Sequence, residues 1–342
     1  MHRLGVYKRW MSEAELLARN DNVPDDWGQS WLDSLSELQD YARGLNPFEQ
    51  RIAALDLPLE NQKLASFAGR ALDKNRLDLA EAAHAMFSHE PVEIWQPALT
   101  RYWGYEYWRT RIAHGVRIRG IAAGKANFNN AVATLAACLC AGWIEQAKFL
   151  TEEILVLYQS KRFYNIGGMF GQPLYHWLFR VGLNHWGWEF EDWGDEDDAG
   201  EPVALSEPVL NDLVVHWHDA DLTPMHDHIR WLCDYYTHRT RPADGYEFAN
   251  DFLLVRYPAV ILAWQRLRQE RGLDNPPIDH PLMKPDYARL REPVPMYSDP
   301  LLDAVIARLR REEMPDLGAV LRPPATSTEK KPSLLARLFG RS

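Results

Sequence analysis

Apolar residues recur at three- and four-residue spacing through most of the 342-residue chain, and runs of strict alternation are almost absent. Such spacing lays one stripe along an α-helix, whereas a half-buried strand needs every second residue apolar. The pattern therefore predicts an all-α fold. Helix ends carry their own chemistry. Ser12 with Glu15 reads as a capping box, and Asn46-Pro47, Thr223-Pro224 and Asp299-Pro300 each set a polar residue before proline near a first turn. Gly44, Gly142 and Gly272 stand where periodic stretches stop. Helices are expected over 12–19, 24–43, 47–55, 60–73, 77–88, 92–115, 127–141, 143–160, 172–184, 206–217, 224–238, 247–271 and 299–312.

Connections are short apart from a Gly-rich turn (Gly167, Gly168, Gly171), an acidic segment from Glu189 to Glu201, and a Pro-rich stretch from Asn275 to Pro295. Six prolines in that stretch exclude a long helix and predict an extended segment wrapped over the surface. Leu64 to Phe87 and Leu135 to Leu157 resemble helix-turn-helix units of the tetratricopeptide kind, with small residues before a turn and large apolar ones after it. They do not recur at a fixed period, so ordinary helical hairpins are the alternative. The expectation is one helical domain over 1–321, built of stacked antiparallel helix pairs, followed by a disordered basic tail over 322–342. The last ten residues of the tail place Leu334, Leu335, Leu338 and Phe339 on one helical face, a weak membrane-surface or partner-binding pattern.

The chain carries 48 acidic and 38 basic residues, a formal charge of −10. Phosphate neutralisation needs a net basic face, so no nucleic-acid partner is expected. The tail has five bases and one acid, which leaves −14 on the remainder. No apolar run approaches the ~20 residues of a membrane span, so no stable membrane insertion is expected. No signal-peptide apolar region follows Met1 to Trp10, and Cys138, Cys140 and Cys233 form neither a disulfide framework nor a CxxC pair. These features predict a cytoplasmic protein. GxSxG, Walker A and GxGxxG are missing, so no cofactor and no nucleotide hydrolysis are expected.

The densest histidine segment runs from Asn211 to Arg239 and holds His216, His218, His226, His228 and His238 with Asp219, Asp221, Asp227 and Asp234. Imidazoles and carboxylates hold zinc when two or three converge on one point. Two-residue spacing on a helix turns His216 from His218, and His226 from His228, by about 200°. Helix caps and surface hydrogen bonds are the main reading, with Asp221 or Thr223 capping the following helix, and a metal enzyme is the alternative.

In Trp186 to Glu201 (WGWEFEDWGDEDDAGE) the thirteen residues from Glu189 on hold eight acids and no base, in a stretch that also carries Trp186, Trp188, Phe190 and Trp193. An EF-hand alignment from Asp195 lacks the twelfth-position carboxylate. Two readings stay open: a solvated acidic loop anchored by its tryptophans, or a surface that meets a basic protein. In the second, acids steer the partner and tryptophans supply buried anchors. The partner-binding residues would be Trp186, Trp188, Glu189, Glu191, Asp192, Trp193, Asp195, Glu196, Asp197 and Asp198. A second aromatic group, Trp95, Tyr102, Trp103, Tyr105, Tyr107 and Trp108, has Arg101, Arg109 and Arg111 beside it and reads as core helix packing, with base stacking the alternative. Gly245 to Met283 reads as an apolar helix with an exposed basic face (Arg256, Arg266, Arg268, Arg271), with Glu247 and Asp251 favouring its N-terminus.

An acidic, Trp-rich, helical chain carrying GYEFANDFLLVRYPAVILAWQRLR followed by DNPPIDHPLM resembles bacterial immunity proteins of polymorphic-toxin and type VI secretion systems. The likeness covers composition and the stretch from about Ala126 to Met283. It implies that the chain binds a cognate toxin and blocks its active site or assembly, without catalytic residues of its own. A helical-repeat adaptor that binds peptide on a concave face is a third reading.

Overall fold

Glu15 accepts the Ser12 N–H at 2.7 Å while Ser12 Oγ accepts the Glu15 N–H at 3.3 Å, closing the capping box that starts the first helix. The computed structural model describes residues 3–20, 26–54, 64–73, 75–119, 125–164, 172–189, 207–242, 246–248, 251 and 253–319. They form an all-α fold. In order come α1 (Glu13–Asn20), α2 (Asp26–Ala42), α3 (Glu49–Ala54), α4 (Leu64–Leu72), α5 (Arg76–Phe87) and α6 (Val92–Ile118). Then follow α7 (Phe128–Ala141), α8 (Ile144–Gln159), α9 (Pro173–Trp186), α10 (Pro208–His216), α11 (His226–His238), α12 (Ala259–Glu270) and α13 (Pro300–Glu312). Two two-residue strands, β1 (Ala126–Asn127) and β2 (Phe163–Tyr164), pair in parallel beside the α7–α8 hairpin. The Gly-rich turn around Gly167, Gly168 and Gly171 and the C-terminal tail lie outside the described residues.

Long α6 is the axis. α4 and α5 lie along it, and α7 packs on it and carries α8 and α12. α9 then joins α7 and α12 to α10, while α13 packs on α2. The Leu135 to Leu157 hairpin appears as α7 and α8, joined at Gly142, whose φ of 79° ends α7. Asn127 caps α7 by accepting from Asn129 N and Asn130 N, and Asp299 caps α13 by accepting from Leu302 N at 2.8 Å. One apolar core cluster runs from Leu16 to Leu317. No helix among the described residues is long and apolar enough to cross a membrane.

The helix expected over 247–271 begins only at Ala259. Pro258 has no N–H to continue a helix and disfavours helical backbone at Tyr257. The preceding residues instead make one turn, in which Asp251 Oδ1 accepts from Leu254 N at 2.9 Å and Tyr257 N donates to Leu253 O at 2.9 Å. Glu247 is no helix-start residue: it is buried, accepts from Leu174 N at 2.9 Å and pairs with Arg239.

The expected exposed basic face of α12 is also corrected, because Arg266 and Arg268 are buried. Arg268 donates to the carbonyls of Trp217 (2.7 Å), Asp219 (3.0 Å) and Asp274 (2.7 Å), and Arg266 to those of Leu139 (3.2 Å) and Arg291. Buried irregular backbone needs donors that a ladder would otherwise supply, and a guanidinium brings five. The Pro-rich segment is extended only in part: 3₁₀ turns at Pro281–Met283 and Asp286–Ala288 interrupt it, and the later stretch crosses the α7–α8 corner. Val294 N donates to Ala141 O at 3.0 Å, and Trp143 Nε1 donates to Val294 O at 2.9 Å.

Candidate functional site

Pro173 at the first turn starts α9, and Gly187, with φ of 69°, ends it in a left-handed cap. Gly187 N donates to Asn184 O at 3.1 Å and Trp188 N to Leu183 O at 2.9 Å. The chain therefore folds back, and the Trp186 and Trp188 rings lie 5.6 Å apart at 32°. Both are half-buried against the core. Trp217 is fully buried and packs on the adjoining His185, and its Nε1 donates to Asn184 Oδ1 at 2.9 Å. Exposed Arg271 donates to His185 O at 3.0 Å and stands 5.0 Å over the Trp217 ring. A cation at a helix C-terminus opposes the negative end of the dipole. His185 sits between Trp186 and Trp217, with centroid distances of 5.1 and 5.8 Å, and burial, aided by Arg271, pushes its imidazole down to about 4.

Exposed Glu189, which follows this aromatic platform, is the last described residue before the acidic segment continues. Of the sequence-predicted partner-binding residues, Trp186, Trp188 and Glu189 are placed there. Glu191, Asp192, Trp193, Asp195, Glu196, Asp197 and Asp198 lie outside the described residues. Trp217 and Arg271 complete the platform from distant segments that no local pattern links to it, and His185, next to Trp186 in sequence, is distinguished only by the contacts it makes.

The His/Asp segment is divided among separate tasks. His216 Nδ1 meets Asp219 at 2.8 Å, His228 Nε2 meets Asp212 at 3.2 Å, and His238 Nε2 donates to Gly5 O at 2.9 Å. Asp221 accepts from Thr223 N at 2.9 Å in the turn before the helix, but neither it nor Thr223 caps α11, which starts at His226 after Met225 with no side-chain cap. Asp234 accepts from Gly5 N at 2.9 Å and from His280 Nε2 at 3.0 Å, while His280 Nδ1 accepts from Leu282 N at 3.1 Å. Both His280 nitrogens are therefore engaged. Among the described residues no group of three or more His, Cys, Asp or Glu side chains is arranged to hold a metal ion.

The aromatic group on α6 is core packing. Trp95, Trp103, Tyr105 and Tyr107 are buried, and Tyr102 and Trp108 half-buried. Their flanking guanidinium groups are paired: Arg101 with Asp78, Arg109 with Glu106, and Arg111 with Glu153 at 2.7 Å. Glu153 also holds His114 at 3.2 Å, and burial pushes that imidazole down despite the carboxylate.

One concavity combines aromatic walls with charge. A cavity of about 250 Å³ lies between α6, α7, the α4–α5 junction and the 251–259 segment. Trp103, Ala133, Ala137 and Leu254 give its apolar wall, and Asp73, Arg76, Glu106, Arg109 and Asp251 its charged one. Arg109 Nε donates to both Glu106 oxygens, at 2.9 and 2.7 Å, and stands 3.4 Å from Asp73. These groups come from separate stretches of chain, and no local sequence pattern marks them.

No protein-family model, curated protein or solved structure matches the chain.

Proposed function

We propose that the chain acts by protein–protein recognition, as an immunity protein that binds a basic bacterial toxin and neutralises it. The observation that carries this reading is the platform at the end of α9. Trp186 and Trp188 are set by the Gly187 cap, with His185 packed between Trp186 and buried Trp217, at the point in the sequence where eight acids in thirteen residues begin. Half-buried aromatic side chains fixed before binding lose little conformational freedom in an interface, and acids around them raise the encounter rate with a basic surface. The scattered tasks of His216, His228 and His238 give the metal-enzyme alternative no convergent ligand set among the described residues.

The test has two arms. A toxin encoded beside this gene is expected to co-purify with the chain and to lose its toxicity when both are expressed. Charge reversal at Asp195, Glu196, Asp197 and Asp198 is expected to slow association by about tenfold or more at low salt, with the gap closing as salt rises. An on-rate unchanged by the reversal removes the acidic segment from the interface. Stoichiometric metal lost on His216→Ala or His226→Ala removes the inhibitor reading.

A further inference from the structure

The geometry points to the cavity between α6, α7 and the 251–259 segment as a binding site for a small aliphatic amine. Its carboxylates are not equivalent. Glu106 and Asp73 face the guanidinium of Arg109. Asp251, by contrast, joins no ion pair among the described residues, and its carboxylate is held by the backbone N–H of Leu254 at 2.9 Å. The backbone N–H of Leu253 bonds to the same carboxylate, and its remaining lone pairs are open to a ligand, since a carboxylate accepts several hydrogen bonds. Tyr102 and Trp103 line the same cavity, so an ammonium group reaching Asp251 meets aromatic rings as well as charge. Ala133 and Ala137 form a smooth apolar wall on α7 suited to a short methylene stem. The volume of about 250 Å³ fits a stem of a few carbons and excludes a large cofactor.

The surroundings of Asp251 support the same ligand. Burial, with Glu106 next in effect, pushes its carboxyl above the ordinary carboxylate range, while Arg76 pulls it back. The phenols of Tyr102, Tyr175 and Tyr236 around it stay neutral, each pushed up by burial. A bound ammonium adds to the partial counter-charge that Arg76 gives this carboxylate from the same cavity.

Isothermal titration calorimetry of the full chain with n-butylamine, n-butanol and butyrate tests the assignment. n-Butylamine is expected to bind with a Kd of about 1 mM or tighter, and the alcohol and the acid at least about tenfold more weakly. Asp251→Asn keeps an oxygen for the Leu254 N–H and is expected to lose at least about tenfold in amine affinity. On the unaltered chain the affinity is expected to fall with pH as Asp251 takes up its proton. Three results overturn the site: no heat with n-butylamine, equal affinity for n-butanol, or an amine affinity indifferent to pH or to Asp251→Asn.

Discussion

A buried guanidinium with no carboxylate among its hydrogen-bond acceptors is costly unless its N–H groups find others, and Arg268 sets its two terminal nitrogens on three carbonyls, of Trp217, Asp219 and Asp274, while its buried Nε has no partner among the described residues. It thereby ties the end of α12 to the turn after α10. Arg268→Met preserves the apolar stem and leaves those carbonyls without their donor, so a loss of about 3 kcal/mol is expected in urea unfolding. Arg268→Lys should recover only part, because an ammonium cannot span acceptors on both sides of a planar fork. At His185 the expected signal depends on pH. Its imidazole falls from 6.5 in the unfolded chain to about 4 in the fold, so between those values the unfolded state binds more protons. The His185 contribution is complete above about pH 6.5 and drains away as the pH falls towards 4. His114 and His280 shift in the same direction, which makes the comparison with a variant decisive. The unaltered chain should lose more stability than His185→Gln between pH 6.5 and 4, and equal losses would contradict the assignment.

At the scale of elements, Gly142 and Gly272 look alike in sequence and behave differently in the fold. Both have positive φ, 79° and 70°. A Cβ on Gly142 would stand 2.5 Å from Pro293 Cβ, whereas one on Gly272 meets nothing within 4 Å. Gly272→Ala therefore bears the left-handed backbone penalty alone, about 1 kcal/mol, while Gly142→Ala adds displacement of the Pro-rich segment and should cost about 2–4 kcal/mol. Urea midpoints of the two variants measure the difference, and equal midpoints would mean that Pro293 yields freely. Which parts of the fold were legible follows the same division. Helix positions could be read because apolar spacing, Asn127, Asp299 and the stop glycines are local signals. The break at Pro258 was present in the sequence, but the long apolar run across it outweighed the proline. Burial of Arg266 and Arg268 was not legible, since their acceptors lie on Leu139, Trp217 and Asp274. At the candidate interface, Trp186 and Trp188 announced themselves by composition, while the packing of Trp217 on His185 and the Asp251 cavity depend on long-range contacts that no spacing encodes.

For the whole molecule, the two ends of the described chain decide how it unfolds. Gly5 and Tyr7 donate to Asp234 and Thr237 on α11, and Trp10 Nε1 donates to Val255 O at 2.8 Å. At the other end α13 packs on α2, Arg308 donates to Leu45 O at 2.7 Å, and Glu313 accepts from Ala65 N at 3.1 Å. First and last segments are thus bound to distant parts of one core that runs from Leu16 to Leu317. A chain closed in this way has no piece that can leave without exposing surface on the rest, so unfolding should be cooperative. Far-ultraviolet circular dichroism and tryptophan fluorescence are expected to give superimposable urea curves, because tryptophans from Trp10 to Trp264 report on the same core. Deleting residues 1–11 removes the bonds to α11 and the Trp10 contact with Val255, worth at least about 3 kcal/mol together. Both curves should then shift to lower urea and still coincide. A fluorescence transition that separates from the helical one would instead divide the core, with the α9–α12 platform and its tryptophans melting apart from α6.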